Sequence, residues 1–313
     1  MAQRSTRFRS GFGDRGRLRD LIAEARARFQ DDPKTAFVLS GGGVLGSVQV
    51  GMLRALHEAD IVPDIITGCS VGGINGASFA ADPTGAGIDR LVRLWSNLAD
   101  GNPELMPRSR LPLIAQMALK KASIHDPQRL EDLLHSELPA RTFADLVVPF
   151  ACVATDAHLA AAHWFDSGPL IPALMASAAL PAVYPPVEVD GKLLYDGGVV
   201  NELPLEWAVA NGARTLYILQ VGHLDPRPLE PEKPFDSLMH AYWTARVQRV
   251  EEDLAEIADE CEVIRLPAGG SPRVRFDDYS KGRELMTASY EATRLFLETG
   301  EESDPTEGPM SSF

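Results

Sequence analysis

Residues 64–81 read DIITGCSVGGINGASFAA, an apolar run followed by a glycine-flanked serine and an alanine-rich segment. The run Asp64 to Thr67 predicts a strand, and the segment after Ser70, to about Ala81, predicts a helix. Gly68 and Gly72 place Ser70 in a G-x-S-x-G pattern, which marks a nucleophile when it lies between a strand and a helix. The alternative is a glycine-rich helix start with Ser70 as its cap.

A glycine-rich loop precedes this unit. Thr35 to Ser40 predicts a buried strand, and a helix is expected from about Leu45 to Ala59. Between them, Gly41, Gly42 and Gly43 leave backbone N–H groups uncovered next to a helix N-terminus, where an anion can bind. Beside a serine nucleophile, such donors suit an oxyanion hole.

The same loop also fits a dinucleotide-binding pattern. Gly41, Gly43 and Gly46 satisfy G-x-G-x-x-G, but that site needs an acidic residue near the end of the next strand to hold a ribose. The next predicted strand leads into Gly68 and Ser70 instead. A nucleotide- or anion-binding regulatory protein therefore stays open as the alternative function.

The order of predicted elements indicates an α/β protein with a mostly parallel sheet, because strands and helices alternate from Thr35 to Ala81. Further strands are expected at Pro149–Thr155, His163–Phe165, Thr215–Val221 and Cys261–Leu266, and a hairpin at Glu188–Leu194. Further helices are expected at Arg17–Phe29, within 86–136, and at Leu205–Asn211, Ser237–Asp259 and Gly282–Leu297.

Composition narrows the class of protein. A net charge of −14 over 313 residues argues against general nucleic-acid binding. Apolar runs fall short of the roughly 18 residues that span a bilayer. The three cysteines show no disulfide or zinc spacing, so the expected environment is a reducing cytoplasm, with peripheral membrane contact as an extension.

Both ends of the chain are charged. Residues 1–16 predict a disordered basic tail and residues 299–313 an acidic one. Between them we expect a single domain, residues 17–300, with its motifs in about 35–212 and a helical C-terminal part in 213–298. The basic tail is either solvated or in contact with anionic lipid.

A carboxylate follows a later strand. Asp196 comes after Leu193-Leu194-Tyr195 and precedes Gly197 and Gly198, so it can project into a cleft without steric cover. An ordinary turn aspartate is the alternative.

With these blocks in order, the chain resembles the patatin-like phospholipases. The resemblance covers roughly residues 35–212. It is carried by Gly41–Gly46, Gly68–Gly72 and Asp196–Gly198, supported by Ala154-Thr155-Asp156, Ala176–Pro181, Pro185-Pro186 and Asn201–Pro204.

The resemblance implies a three-layer α/β fold and hydrolysis of lipid acyl esters, with phospholipid or lysophospholipid as substrate. It implies a Ser–Asp dyad in which Ser70 is the nucleophile and Asp196 its base, without a metal or organic cofactor. The amides of Gly41, Gly42 and Gly43 would form the oxyanion hole. Transient contact with a membrane or micelle follows from such a substrate. Many members have Arg or Lys at the position of Leu45. This chain therefore lacks a positive charge that those members carry near the site.

Two other hypotheses remain. A Ser–Asp–His triad would need His223 or His240, the histidines that follow Asp196. A catalytically silent scaffold is the other. The remaining histidines lack metal-ligand spacing, and His158 and His163 are expected at the surface or partly packed. Residues 105–124, basic and amphipathic, are expected to pack on the core or to form a mobile cover over an acyl pocket.

Overall fold

The computed structural model of this protein describes residues 17–28, 33–101, 126–221, 234–270 and 278–301. Its strands are β1 (Lys34–Leu39), β2 (Ile65–Cys69), β3 (Phe150–Asp156), β4 (Ala161–Phe165), β5 (Val187–Val189), β6 (Lys192–Asp196), β7 (Ala213–Leu219) and β8 (Glu262–Arg265). Its helices are α1 (Arg17–Arg28), α2 (Gly46–Glu58), α3 (Val71–Ala81), α4 (Gly85–Ala99), α5 (Pro127–Glu137), α6 (Leu170–Ser177), α7 (Leu205–Ala210), α8 (Pro234–Ile257) and α9 (Gly282–Thr299).

Three predicted features lie outside the described residues. They are the basic tail, residues 1–16; residues 302–313 of the acidic tail; and the whole amphipathic segment, residues 105–124. His223 lies outside them as well.

The strands form one mixed sheet that is mostly parallel. Its order is β5-β6-β3-β2-β1-β7-β8, with β4 paired to β3 as well. Strands β3, β2, β1, β7 and β8 run parallel to one another, whereas β4 and β6 pair antiparallel with β3, and β5 pairs antiparallel with β6. The predicted α/β class with a mostly parallel central sheet is confirmed.

Helices cover both faces of the sheet. On β1, Phe37 and Leu39 point into one hydrophobic core, and Ala36 and Val38 point into another. The first core also contains apolar residues of α2, α3, α4 and α9, and the second those of α1, α7 and α8. Because successive side chains of a strand point to opposite faces, this alternation produces three layers, with apolar burial on both sides.

Strand β2 is longer than the sequence predicts. Gly68 and Cys69 continue its parallel ladder with β3, opposite Cys152 and Val153, whereas the apolar run ends at Thr67. The strand therefore leads directly into Ser70. The predicted hairpin is present as β5 and β6, and its loop residues Asp190 and Gly191 have φ values of 50° and 73°. Two central residues with positive φ form the turn that matches the twist of a two-residue hairpin.

Candidate active site

Ser70 occupies a strained turn between β2 and α3. Its backbone has φ 53° and ψ −123°, a conformation that residues other than glycine rarely adopt. Such strain costs on the order of 1–3 kcal/mol and is held by the surrounding structure. Here the Ser70 N–H donates a hydrogen bond of 2.9 Å to Ser177 Oγ, and the Ser70 carbonyl accepts one from Ile74. The turn holds a half-buried serine hydroxyl at the end of the strand.

The two flanking glycines are required by close backbone approach. A Cβ at Gly68 would lie 2.4 Å from the carbonyl oxygen of Gly72, and a Cβ at Gly72 would lie 2.4 Å from the carbonyl oxygen of Ser40. Both distances are far below van der Waals contact with backbone atoms that cannot move aside. The G-x-S-x-G pattern thus packs the turn against itself and against the end of β1.

The pairing of β3 brings Asp196 next to Ser70. One edge of β3 pairs with β4 over Cys152–Asp156, so β2 and β6 share its other edge, one after the other. On that edge Cys69 lies opposite Val153, and Asp196 lies opposite Ala154, the next residue. The last residue of β2 and the last residue of β6 therefore meet where the two strands end.

Asp196 is almost fully buried, with 2% of its surface exposed. Its Oδ1 accepts a hydrogen bond of 2.8 Å from the Gly198 N–H, and its carbonyl oxygen accepts one of 2.8 Å from Thr155 Oγ1. Burial raises the pKa of the Asp196 carboxyl above its ordinary value, and a hydrogen bond from the Ser70 side chain is first among the interactions that oppose this increase. The two side chains that the sequence singled out thus interact directly.

Gly197 and Gly198 shape the turn after Asp196. A Cβ at Gly197 would lie 2.3 Å from the carbonyl oxygen of Val153, so a side chain there would push the turn away from β3. A Cβ at Gly198 would lie 2.2 Å from Arg246 Nη2 and 3.0 Å from Asp196 Oδ1. Both glycines therefore allow the carboxylate to sit deep in the structure.

The glycine loop lies beside Ser70, and its three amides differ in their hydrogen bonding. A Cβ at Gly41 would be 3.6 Å from Ser70 Cβ, but the Gly41 N–H already donates to the carbonyl oxygen of Glu202 at 3.2 Å. Gly41 therefore does not offer a free amide, because its backbone closes the loop onto the segment after Asp196. The N–H groups of Gly42 and Gly43, in contrast, donate to no acceptor among the described residues. Gly43 is exposed and has φ 56°.

Gly46 anchors the other end of the loop. A Cβ there would lie 2.4 Å from both the Trp95 ring and Val71 Cγ2, so α2 can approach α3 and α4 closely. Leu45, beside it, packs against the hydrophobic core. Its side chain supports the loop by apolar contact and brings no charge.

A buried amide network, which the sequence did not reveal, joins the glycine loop to the serine helix. Asn75 Nδ2 donates to the Gly46 carbonyl and to Gln49 Oε1, both at 2.9 Å, and Asn75 Oδ1 accepts from Trp95 Nε1 at 3.0 Å. Gln49 Nε2 in turn donates to the carbonyl oxygen of Ser40 at 2.8 Å. Helices α2, α3 and α4 are thereby fixed relative to the end of β1.

A second unpredicted group is the ion pair of Arg246 and Glu202. Arg246 Nη2 lies 3.1 Å from Glu202 Oε2, and the two side chains are only 9% and 5% exposed. Burial raises the pKa of Glu202 to about 7, whereas the charge of Arg246 acts to lower it. Arg246 comes from α8, for which the sequence had indicated only an amphipathic helix.

His158 and His163 have partners other than Ser70 and Asp196. His163 lies on β4, where its Nδ1 is 3.0 Å from Lys192 Nζ, and the His158 N–H donates to Asp156 Oδ1 at 3.0 Å. His240 belongs to α8. Within the described ranges, no cluster of three or more His, Cys, Asp or Glu side chains could hold a metal ion. Nor does any helix there have the length and apolarity to cross a membrane.

The chain is similar in sequence to several known proteins. The family model described as patatin-like phospholipase matches residues 37–209. An uncharacterised NTE family protein of Mycobacterium tuberculosis is 29% identical over 238 residues, covering 75% of this chain and 61% of its own length. Patatin-like phospholipase domain-containing protein 7 of Mus musculus is 31% identical over 296 residues, covering 87% of this chain but 21% of its own length.

The chain therefore spans less than two thirds of the length of these relatives. Among solved structures, VipD from Legionella pneumophila has a TM-score of 0.46 at 14% identity, over 85% of this chain and 67% of that one, and this likeness adds no argument of its own. The family match includes the glycine loop, the serine turn and Asp196 together. On that match, this chain belongs to the patatin-like phospholipase family.

Proposed function

We propose that this protein is a serine acylhydrolase that cleaves acyl esters of lipids, phospholipid or lysophospholipid, through an acyl-Ser70 intermediate. Membership in a family of lipid hydrolases supports the reaction class. The observation that carries the proposal is the strained Ser70 turn beside the buried Asp196 carboxylate, whose pKa the Ser70 side chain acts to lower. A nucleophile next to a base that is itself oriented by hydrogen bonds is the arrangement required for covalent catalysis.

In the first half of the reaction, Ser70 Oγ attacks the ester carbonyl carbon while Asp196 accepts the hydroxyl proton. The tetrahedral intermediate then expels the alcohol, which takes the proton from Asp196, and the acyl group remains on Ser70. Burial assists this step because it raises the pKa of Asp196, and a carboxylate with a raised pKa is a stronger base.

In the second half, a water molecule attacks the acyl-Ser70 carbonyl, and Asp196 accepts a proton from that water. The intermediate collapses, Ser70 regains its proton from Asp196, and the fatty acid leaves. We assign stabilisation of the negative oxygen in both steps to the Gly42 and Gly43 amides, since the Gly41 N–H is engaged by Glu202. Loss of one such donor typically raises the barrier by about 3 kcal/mol.

A lipid substrate implies transient contact with a membrane or micelle surface. We place the protein in the cytoplasm, with peripheral contact during turnover, because its three cysteines are free and buried. No metal or organic cofactor is assigned a step.

Labelling with a fluorophosphonate and turnover of a short acyl p-nitrophenyl ester test this proposal. Wild-type protein should be labelled at Ser70 and should hydrolyse the ester, whereas Ser70→Ala and Asp196→Asn should lose at least about 10³-fold in turnover while remaining folded. Ser136→Ala, on the exposed side of α5, is the matched serine control and should keep full activity. A folded wild-type sample that is neither labelled nor active contradicts the proposal.

The alternative functions give different outcomes in the same samples. A Ser–Asp–His triad predicts that His223→Ala or His240→Ala loses several orders of magnitude in turnover, which the dyad does not. A nucleotide-binding protein predicts that a dinucleotide raises the melting temperature and that Ser70→Ala leaves this effect intact. A silent scaffold predicts no labelling at all.

A further inference from the structure

The guanidinium of Arg246 is buried behind the serine and aspartate pair. The Cβ position of Gly198, which glycine leaves empty, is 2.2 Å from Arg246 Nη2 and 3.0 Å from Asp196 Oδ1. Arg246 Nη2 is also 3.5 Å from the Cβ position of Gly41. The cation therefore lies next to both the glycine loop and the Asp196 turn, on the side where these segments have no side chains.

Glu202 binds the same cation and connects it to the loop. Its carboxylate is 3.1 Å from Arg246 Nη2, while its backbone carbonyl accepts the Gly41 N–H at 3.2 Å. The Tyr242 ring, one turn earlier on α8, lies 4.4 Å from the guanidinium carbon. Two buried carboxylates, Asp196 and Glu202, thus flank a single buried arginine.

The charged and titratable groups that influence Asp196 come from three elements. They are Cys69 on β2; Glu202 in the segment after the Gly197–Val199 turn; and Arg246 and Tyr242 on α8. Of these, Arg246 alone carries a positive charge. Burial raises the pKa of Asp196 and of Glu202, and Arg246 acts on both to lower it.

We infer that Arg246 is the counter-ion of Asp196, and that Glu202 competes with Asp196 for this cation. Arg246 is then a positioning residue that acts through Asp196 without touching substrate. Its meaning for catalysis rests on the proposed function, since only an ionised Asp196 can accept the Ser70 proton. A purely structural role, in which the ion pair only ties α8 to the sheet, predicts no effect on the titration of Asp196.

The test follows the titration of Asp196 directly. Protein enriched with ¹³C-aspartate is titrated by NMR, and the Asp196 carboxyl signal is assigned by its absence in Asp196→Asn. Arg246→Gln should raise the midpoint of Asp196 by about one pH unit or more, because an adjacent opposite charge lowers an aspartate pKa by about 1–3 units. Glu202→Gln should lower it, because Asp196 then has the cation to itself.

Two further variants provide controls. Arg246→Lys keeps the charge and should leave the midpoint closer to wild type than Arg246→Gln does. Arg249→Gln removes a more exposed arginine of the same helix, paired with Asp253 at 3.3 Å, and should not move the midpoint. Arg246→Gln leaves Glu202 buried without its partner, so this variant alone can fail to fold. In that case the Asp196 midpoint is measured in the double variant Arg246→Gln/Glu202→Gln and in the single variant Glu202→Gln.

Opposite movement of the Asp196 midpoint in the Arg246 and Glu202 variants supports the inference. An Asp196 midpoint that stays at the wild-type value in the folded Glu202→Gln protein and in the Arg246 variant or double variant overturns it. This readout needs no enzymatic activity, so it separates failure of the inference from failure of the proposed function. If the protein does hydrolyse esters, the acid limb of its kcat profile should move with the NMR midpoint in each variant.

Discussion

Asn75→Ala tests whether the buried amide network holds the site together. Asn75 is fully buried and makes three hydrogen bonds, to the Gly46 carbonyl, to Gln49 Oε1 and from Trp95 Nε1, of 2.9, 2.9 and 3.0 Å. Truncation leaves all three partners buried without it, and each such orphaned group costs about 1–3 kcal/mol. The free energy of unfolding should therefore fall by at least about 3 kcal/mol.

Urea unfolding measures this loss, with Gln128→Ala as the matched control. Gln128 also has a side-chain amide that donates one hydrogen bond, of 3.0 Å, to Asp132, but at an exposed site on α5. Its removal should cost less than about 0.5 kcal/mol, the usual effect of a surface substitution. Both variants lose an amide, so the difference between them isolates the effect of burial.

The same substitution should weaken catalysis in a particular way. Asn75 holds the carbonyl of Gly46, which follows the loop that carries the Gly42 and Gly43 amides. In the protein that remains folded, we expect a lower kcat for the p-nitrophenyl ester with a smaller change in KM, because the loop is placed less accurately against the transition state. A loss of stability below about 1 kcal/mol, with unchanged kcat, would refute this reasoning.

Three other predictions concern the same site. Gly42→Ala should abolish ester hydrolysis, because its Cβ would lie 1.8 Å from Val221 Cγ2. Adding Val221→Ala should recover part of the stability that Gly42→Ala loses. Equal unfolding curves for the single and the double variant would contradict this. Asp196→Asn should raise Tm at pH 7, because burial raises the folded-state pKa of Asp196, so that its ionised form reduces stability above that pKa. The difference in Tm should vanish below about pH 4, near the ordinary pKa of an unfolded aspartate carboxyl. A Tm difference independent of pH would contradict the assignment. All three cysteines are buried, so a thiol reagent such as DTNB should label none in the native protein and all three after unfolding, and rapid native labelling of any one would show that its site opens.

Much of the fold could be predicted from local patterns. The apolar run before Ser70 and the one before Gly41 became adjacent parallel strands, because each is long enough to be buried on both faces. The Asp190-Gly191 pair predicted a hairpin, and both residues adopt the positive φ that its turn requires. The ends of the strands were predicted less accurately. The pairing of Gly68 and Cys69 with β3 depends on a partner strand far away in the sequence.

The residues around the site were only partly predictable. Ser70 and Asp196 lie in glycine-rich turns whose local sequence is distinctive, so both could be singled out as candidates from the sequence. Arg246 and Glu202 lie in segments with no such signal, and they meet only because α8 packs over the turn after β6. The hydrogen bond from the Gly41 N–H to the Glu202 carbonyl could not be predicted either, because a hydrogen bond between backbone groups does not depend on residue type.

The shared edge of β3 has a consequence for how tolerant this architecture is to change. Cys69 and Asp196 are 127 positions apart in sequence, yet β3 sets them at consecutive register positions, so the chain between them can change in length wherever the pairing of β2 and β6 with β3 is kept. The pairing of β6 with β3 itself has no such freedom. A slip of one residue in β6 would turn the carboxylate of Asp196 to the opposite face of the sheet. The register of β6 against β3 therefore decides which way the candidate base points, and a one-residue shift of β6 along β3 should abolish the site.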